Sequence, residues 1–338
     1  MERRVVKVGL LGLGTVGSGV VKMLRTKQEE LAQKCGYEIE IQRILVRDLD
    51  KKRGVDVERS LLTRDVRDIL DDPEVQIVIE VMGGESGTRD IVLESLLSGK
   101  HVITANKDLV ALHGAQLHNA ADSKNVELLY EAAVAGAIPI VRVLKQSFAA
   151  DQVREVMGIV NGTTNFILSK MTQENASYED ALREAQALGY AEADPHADVS
   201  GLDAARKMAI LASISMRQAV PLADVQLQGI EGVTQEDIAE AKALGLVIKL
   251  IGRARREGDA IEVSVSPMRL PDSHPLAQVN DCFNAVYVYA DALGEAMLYG
   301  RGAGEMPTAS AVVGDLLAVL RGRKFAAQQQ VEWIGRLA

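Results

Sequence analysis

Cysteine is nearly absent. The chain has two among 338 residues, Cys35 and Cys282, and neither stands at a spacing that builds a disulfide framework or a zinc site. Histidine is scarce too, with five scattered residues, so no zinc site is expected and the two thiols read as reduced and inert. No apolar run approaches the roughly 18 residues that a membrane span needs. The opening Met1-Glu2-Arg3-Arg4 carries no signal-peptide core, which predicts a cytoplasmic protein. An excess of positive charge is also lacking: the net charge of −9 argues against a nucleic-acid partner or an anionic membrane surface. There is no internal repeat and no low-complexity linker. What remains is a globular composition, 47% hydrophobic and 25% charged, long enough for about two domains and a large core.

The first half alternates strands and helices. Val5 to Leu11 reads as a short apolar strand, and it runs into Gly12-Leu13-Gly14-Thr15-Val16-Gly17 and then one helix carrying Val20, Val21, Leu24 and Leu31. The first glycine of such a turn allows the tight bend. The second lets a pyrophosphate approach the backbone, and the third lets helix and strand pack closely. The phosphates would sit at the helix N-terminus, where unbonded N–H groups favour anions. A GxGxxG alone is weak; between a strand and a helix it is strong. A second strand, Glu40 to Val46, ends in Arg47-Asp48. An acid there suits the ribose hydroxyls of NAD and an arginine the 2′-phosphate of NADP; the residues offer both. Further strands are expected at Gln76–Val81, His101–Thr104 and Val126–Tyr130, with helices near 88–98 and 108–123. The pattern predicts a Rossmann-type parallel sheet with right-handed crossovers. Met82-Gly83-Gly84 and Ala105-Asn106-Lys107 both fall at carboxyl ends of strands, where ligands bind, and Lys107 there faces the expected nicotinamide site. Glu131 to Pro139 closes the domain as a small-residue stretch; its bare carbonyls could bind a hard cation, but on spacing alone it reads as an ordinary domain junction.

In the second half, helices are expected near 139–148, after the polar turn Asn161-Gly162-Thr163-Thr164-Asn165, near 177–188 and from Ser200 to Ser215. After Pro221 strands predominate, near 225–230, 246–255, 260–267, 285–290 and 296–299, with one helix near 235–244. An α+β domain with an open, largely antiparallel sheet follows, and one face of it needs cover by helices or a second subunit. Gly300-Arg301-Gly302-Ala303-Gly304 reads as a hinge before a helix led by Pro307. The expected division is a dinucleotide-binding domain over 1–138 and 307–338 and a substrate-binding, dimerising domain over 139–306.

The run from Gly189 to Lys207 organises the rest. Pro195 and its acidic residues keep it a loop up to Ser200, which reads as a helix N-cap with Asp203 three residues on. On a helical wheel Arg206, Ser213 and Arg217 form the wet face. Asp203 and Lys207, one turn apart, fall instead on the side of Ile210, Leu211 and Ile214. Charges turned toward a core are costly unless paired or at work. The pair is either a plain i,i+4 ion pair or an acid–base pair at the floor of a cleft, with Glu192 on the loop above.

On Gly12–Gly17, Thr104–Lys107, Glu131–Pro139, Asn161–Asn165, Gly189–Lys207 and Gly300–Gly304, the sequence resembles the homoserine dehydrogenases over nearly its whole length. The resemblance implies reversible oxidation of L-homoserine to L-aspartate 4-semialdehyde with NAD or NADP, in threonine and methionine synthesis. It implies that Lys207 is the acid–base lysine, that Asp203 and Glu192 bind homoserine, and that Lys107 helps to position substrate and nicotinamide. Carried over in the same way, Thr15, Val16, Gly189 and Gly302 touch the cofactor. Backbone at Glu131, Val134, Gly136 and Ile138 holds a monovalent cation, usually sodium. Arginine at 47 favours NADP, with Asp48 beside it, and a homodimer through the second domain's sheet is expected. The family's C-terminal ACT domain has no counterpart in the chain, so threonine feedback through it is not expected.

Two other readings compete. A phosphorylating semialdehyde dehydrogenase needs a thiolate nucleophile, and neither Cys35 nor Cys282 sits in an activating context. A nucleotide-sensing module without chemistry accounts for Gly12–Gly17 but has no use for Glu192, Asp203 and Lys207 together.

Overall fold

A computed structural model describes residues 4–322 and Phe325; positions 323–324 and 326–338 of the expected C-terminal segment lie outside them. The chain forms two compact units, Met1–Ala133 with Gly304–Ala338, and Val134–Ala303. No helix among the described residues is long and apolar enough to cross a membrane.

The first unit begins with β1 (Arg4–Leu11), α1 (Thr15–Thr26) and α2 (Gln28–Cys35). The single helix expected after the glycine turn is therefore two, because Lys27 leaves helical geometry at φ −117° and ψ 18°. There follow β2 (Tyr37–Leu45), β3 (Leu62–Thr63), α3 (Arg67–Leu70), β4 (Val75–Glu80), α4 (Thr88–Leu97), β5 (His101–Thr104), α5 (Lys107–Ser123) and β6 (Leu128–Leu129). All pair in parallel in the order β3-β2-β1-β4-β5-β6. The order reverses between β1 and β4, and ligands of such sheets bind outside the carboxyl ends at that reversal. β4 reads Val-Gln-Ile-Val-Ile-Glu and is buried at every position but Gln76, as a strand covered on both faces must be.

The second unit opens with α6 (Ile140–Arg142), which widens into a π-helical turn at Val143–Ser147 where one regular helix is expected. The wider turn closes with Phe148 N on Val143 O, and both Leu144 and Phe148 are buried. Next come β7 (Val153–Ile159), α7 (Gly162–Gln173), α8 (Tyr178–Ala187), α9 (His196–Val199) and α10 (Leu202–Ser215). β8 (Gln226–Leu227), α11 (Gln235–Ala243), β9 (Leu246–Glu257), β10 (Ala260–Pro271), β11 (Phe283–Ala290) and β12 (Gly294–Arg301) complete it. The final helix, α12 (Glu305–Arg321), belongs to the first unit.

The second sheet runs β12-β11-β7-β9-β10-β8 and is antiparallel except where β8 joins β10. α10 lies directly on it: a Cβ on Gly252 of β9 would stand 2.2 Å from Met208 Cγ. Met208, Ile210 and Leu211 of α10 are buried, each contributing about 1.5–3 kcal/mol, so the helix bearing Asp203 and Lys207 is fixed to a central strand. On the opposite face Met157, Ile159, Ile251, Leu270 and Tyr287 pack beneath Leu276–Val279. Near the β12 edge that face is bare, with Tyr289, Met297 and Tyr299 40% to 54% exposed.

A further local expectation fails. Ser200 does not cap α10; the N-cap is Gly201, at φ +84°, with no side-chain capping bond. The residues before it are already turned into α9, so Ser200 lies in a helical bend at φ −71° and ψ −14°. An N-cap needs an extended backbone there.

Candidate active site

In the first unit the turn after β1 has the geometry its glycines require. Gly12 adopts φ +102°, a region closed to most L-residues. A Cβ on Gly17 would fall 2.3 Å from Gly12 O. Gly14 is the N-cap of α1 and supplies no side chain to cap it; Gly14 and Thr15 are exposed, and a Cβ at Gly14 would meet nothing within 4 Å. Unfilled N–H groups at an open helix start, reached by backbone alone, fit a pyrophosphate. Val16 is half-buried in the same turn.

Arg47 lies exposed just beyond β2. Asp48 beside it is turned back into its own loop: Oδ1 accepts Asp50 N at 2.9 Å. That backbone bond, first among its causes, holds the Asp48 carboxyl below its ordinary range. Lys51, Lys52 and Arg64 are also exposed here. Lys107 is the first residue of α5 and half-exposed, and Asn106 caps that helix through Leu109 N.

In the second unit β7 delivers Val160 and Asn161 to the start of α7. Asn161 Oδ1 accepts Thr164 N at 2.9 Å, capping α7 and fixing which end of the amide is nitrogen. Its Nδ2 then donates to Asp198 Oδ1 at 2.7 Å and to Asp203 Oδ2 at 2.8 Å. Lys207, one turn along α10, donates to Asp203 Oδ2 at 2.7 Å and to Val160 O at 2.8 Å. Their side chains are 14% and 9% exposed, so the ion pair is largely out of water. An ammonium has three N–H groups; two are engaged by these neighbours, leaving one able to bond a further oxygen.

Two members of this arrangement have no assigned role in the sequence reading. Asp198 comes from the short α9, and Asn161 joins its carboxylate to that of Asp203. Burial pushes the Asp198 carboxyl above its ordinary value, the Asn161 bond works against this, and the charge of Asp203 adds to it. The one available signal was the clustering of Asp198, Asp203 and Lys207 within ten residues.

Glu192 stands exposed on the loop after α8, and its carbonyl accepts the Gln186 amide at 3.2 Å. Thr163 Oγ1 holds the start of that loop by donating to Tyr190 O at 2.7 Å. Gly189, at φ +75°, turns the chain into it. Gly302 packs on Asn284, where a Cβ would meet the amide at 2.2 Å.

The junction residues differ in character. Glu131 is buried in a short 3-10 turn, and its N–H donates to Asp315 Oδ2 at 2.8 Å. Val134 and Ile138 are buried, Ala135 and Gly136 are both left-handed at φ +54° and +57°, and Ile138 O accepts Ile140 N. Among the described residues no three His, Cys, Asp or Glu side chains cluster as metal ligands, so a cation here would rely on carbonyls. Of the two thiols, Cys35 Sγ donates to Tyr37 O, and Cys282 faces the Tyr190 hydroxyl.

Comparison with known proteins adds to this geometry. A family model described as homoserine dehydrogenase matches residues 139–317, and one described as the homoserine dehydrogenase NAD binding domain matches 12–131. The homoserine dehydrogenase of Bacillus subtilis is 53% identical over 321 residues, 95% of this chain and 74% of its own length. That of Corynebacterium glutamicum is 50% identical over 323 residues, 94% and 72%. The crystal structure of a homoserine dehydrogenase from Thiobacillus denitrificans matches with a TM-score of 0.90 at 44% identity, covering 95% of this chain and 74% of that one. A hyperthermophilic archaeal homoserine dehydrogenase in complex with NADPH matches at 0.79 and 25% identity, covering 93% and 97%.

Proposed function

Since the chain belongs to the homoserine dehydrogenase family, we propose that Lys207 is the acid–base group of its reaction, held by Asp203, with Asp203 and Glu192 binding the amino acid. The enzyme is an NAD(P)-dependent oxidoreductase that interconverts L-homoserine and L-aspartate 4-semialdehyde, in the aspartate pathway toward threonine and methionine. The bound nicotinamide supplies the hydride acceptor. In oxidation Lys207, as the neutral amine, takes the hydroxyl proton and becomes the ammonium; in reduction the ammonium returns it to the developing alkoxide, which needs both a charge and a proton. Asp203 and Val160 O aim the ammonium, which support this role at 2.7 and 2.8 Å. Glu192, exposed and an acceptor, suits the substrate's α-ammonium, and Lys107 suits its carboxylate side and the nicotinamide edge.

We infer NADP as the preferred dinucleotide. Arg47 is exposed at the end of β2, whereas Asp48, the group that would hold a ribose diol, is engaged by Asp50 N. Gly12, Gly14, Thr15, Val16 and Gly17 hold the pyrophosphate in this reading, and by resemblance Gly189 and Gly302 also touch the cofactor. We further infer a monovalent cation, sodium by resemblance, on carbonyls of Glu131, Val134, Gly136 and Ile138; consecutive left-handed residues at 135 and 136 are the feature that favours a carbonyl cage. A homodimer through the bare sheet face of Tyr289, Met297 and Tyr299 completes the reading, since exposed apolar groups on one sheet face call for cover.

The observation that carries it is the buried Lys207–Asp203–Asn161 arrangement. Purified protein is tested for homoserine-dependent reduction of NADP and NAD in parallel. Faster turnover with NADP, lost in Lys207→Ala, is expected; undiminished turnover in that variant would overturn the role given to Lys207.

A further inference from the structure

We propose that Glu80, buried beneath the carboxyl edge of the parallel sheet, is a positioning residue that fixes Lys107 against the turn Met82–Gly84. Glu80 is the last residue of β4, stands opposite Thr104 in the β4–β5 register, and is 0% exposed. A carboxylate in such a place is tolerated only when its lone pairs are filled. They are: Oε1 accepts Met82 N at 2.8 Å and Gly83 N at 3.0 Å, and Oε2 accepts the Thr104 hydroxyl at 2.5 Å.

The bonds continue from there. Thr104 Oγ1 accepts Asn106 N at 3.0 Å. Asn106 Oδ1 caps α5 at Leu109 N, and Asn106 Nδ2 returns to Gly84 O at 2.6 Å. One side chain thus ties the turn after β4 to the turn after β5 and to the first residue of α5, Lys107.

The direction of these bonds explains why the residue is an acid. Each of its three bonds is accepted by a carboxyl oxygen. Thr104 donates to Glu80, and its lone pairs are left to accept from Asn106 N. That sets Asn106 as the cap and starts the helix at Lys107. Gly83 and Gly84, both left-handed at φ +70° and +76°, expose the N–H of Gly83 to the same oxygen that holds Met82 N. A glutamine would present an NH2 to the Thr104 hydroxyl, leave that hydroxyl proton without its acceptor and loosen the relay. Burial leaves the Glu80 carboxyl above its ordinary value, against the opposing bonds from Thr104, Gly83, Met82 and Asn106. A group placed to within about half an ångström needs this kind of support.

The inference rests on Lys107 acting on substrate and nicotinamide, as proposed above. The test is a double-mutant cycle on the intact enzyme at saturating dinucleotide: Glu80→Gln and Thr104→Val, each alone and each combined with Lys107→Met, with folding followed by circular dichroism. The expected result is a loss of about tenfold or more in kcat for each single variant, shrinking to less than about twofold in the Lys107→Met background. Thr104→Val, nearly isosteric, carries the test if Glu80→Gln does not fold. A folded single variant with kcat within about twofold of wild type, or a penalty that persists in full on top of Lys107→Met, overturns the proposal. Wild-type turnover in Lys107→Met alone would instead remove the role given to Lys107, a separate and recognisable outcome.

Discussion

The amide nitrogen of Asn161 lies 2.8 Å from Asp203 Oδ2, the same oxygen that takes the Lys207 ammonium at 2.7 Å. Because Asn161 Oδ1 is committed to Thr164 N, the amide cannot turn over, and Asp203 is held from two sides. Asn161→Ala removes the bridge and the cap of α7. Loss of the cap costs about 1 kcal/mol, and loss of the bridge lowers kcat by about tenfold or more. Asn161→Asp keeps an acceptor for Thr164 N but sets a third carboxylate beside Asp198 and Asp203. It should be the more harmful of the two to kcat and the less harmful to the cap, which steady-state kinetics and thermal melts of the pair will show.

The acidity of Asp198 gives a pH prediction. Burial raises its folded-state value above the unfolded one. Between the two, the folded protein keeps a proton that the unfolded chain has released, so stability falls as pH rises through that window. Asp198→Asn removes the titration while keeping an oxygen to accept from Asn161. Melting curves of variant and wild type should lie closest at the acid end and separate, with the variant higher, as pH rises past the wild-type group's folded value.

In the proposed reading Arg47 sets the dinucleotide preference. Arg47→Ala should raise KM for NADPH by about ten- to hundredfold, as expected for one charged contact of roughly 1.5–3 kcal/mol with the 2′-phosphate. KM for NADH should move by less than about twofold. Parallel kinetics with both dinucleotides decide it.

Lys249 is a prediction about stability alone. Its ammonium is 1% exposed and has oxygens for partners: Val279 O at 2.6 Å, Asn280 Oδ1 at 3.1 Å, Asn165 Oδ1 at 3.2 Å and Ser169 Oγ at 3.5 Å. Burial lowers its pKa to about 8, and the ring of acceptors favours the charged form. Lys249→Met strips those buried acceptors of their donor and should destabilise the fold by about 2–4 kcal/mol, read from denaturant unfolding.

Much of the molecule was legible because its signals are local. The Gly12–Gly17 turn lies between a strand and a helix, and the nearly all-apolar run Gln76–Val81 reads as a strand buried on both faces. What escaped depended on contacts distant in sequence. β3 is two residues long and exists only because Leu62 and Thr63 find β2. Ser200 has the right chemistry for an N-cap but the wrong backbone, since α9 has already formed. Asp203 and Lys207 were visible from their spacing on one helix face. Asn161, 42 residues before Asp203, and Glu80, 24 before Thr104, acquire their partners only when strands align, and no short-range pattern announces that.

The most direct test of the whole account is Lys207→Ala, folded and able to bind dinucleotide, assayed for homoserine oxidation. Loss of an acid–base group predicts a fall in kcat of about 10²- to 10⁴-fold with dinucleotide affinity unchanged. Turnover near that of the wild type would contradict it.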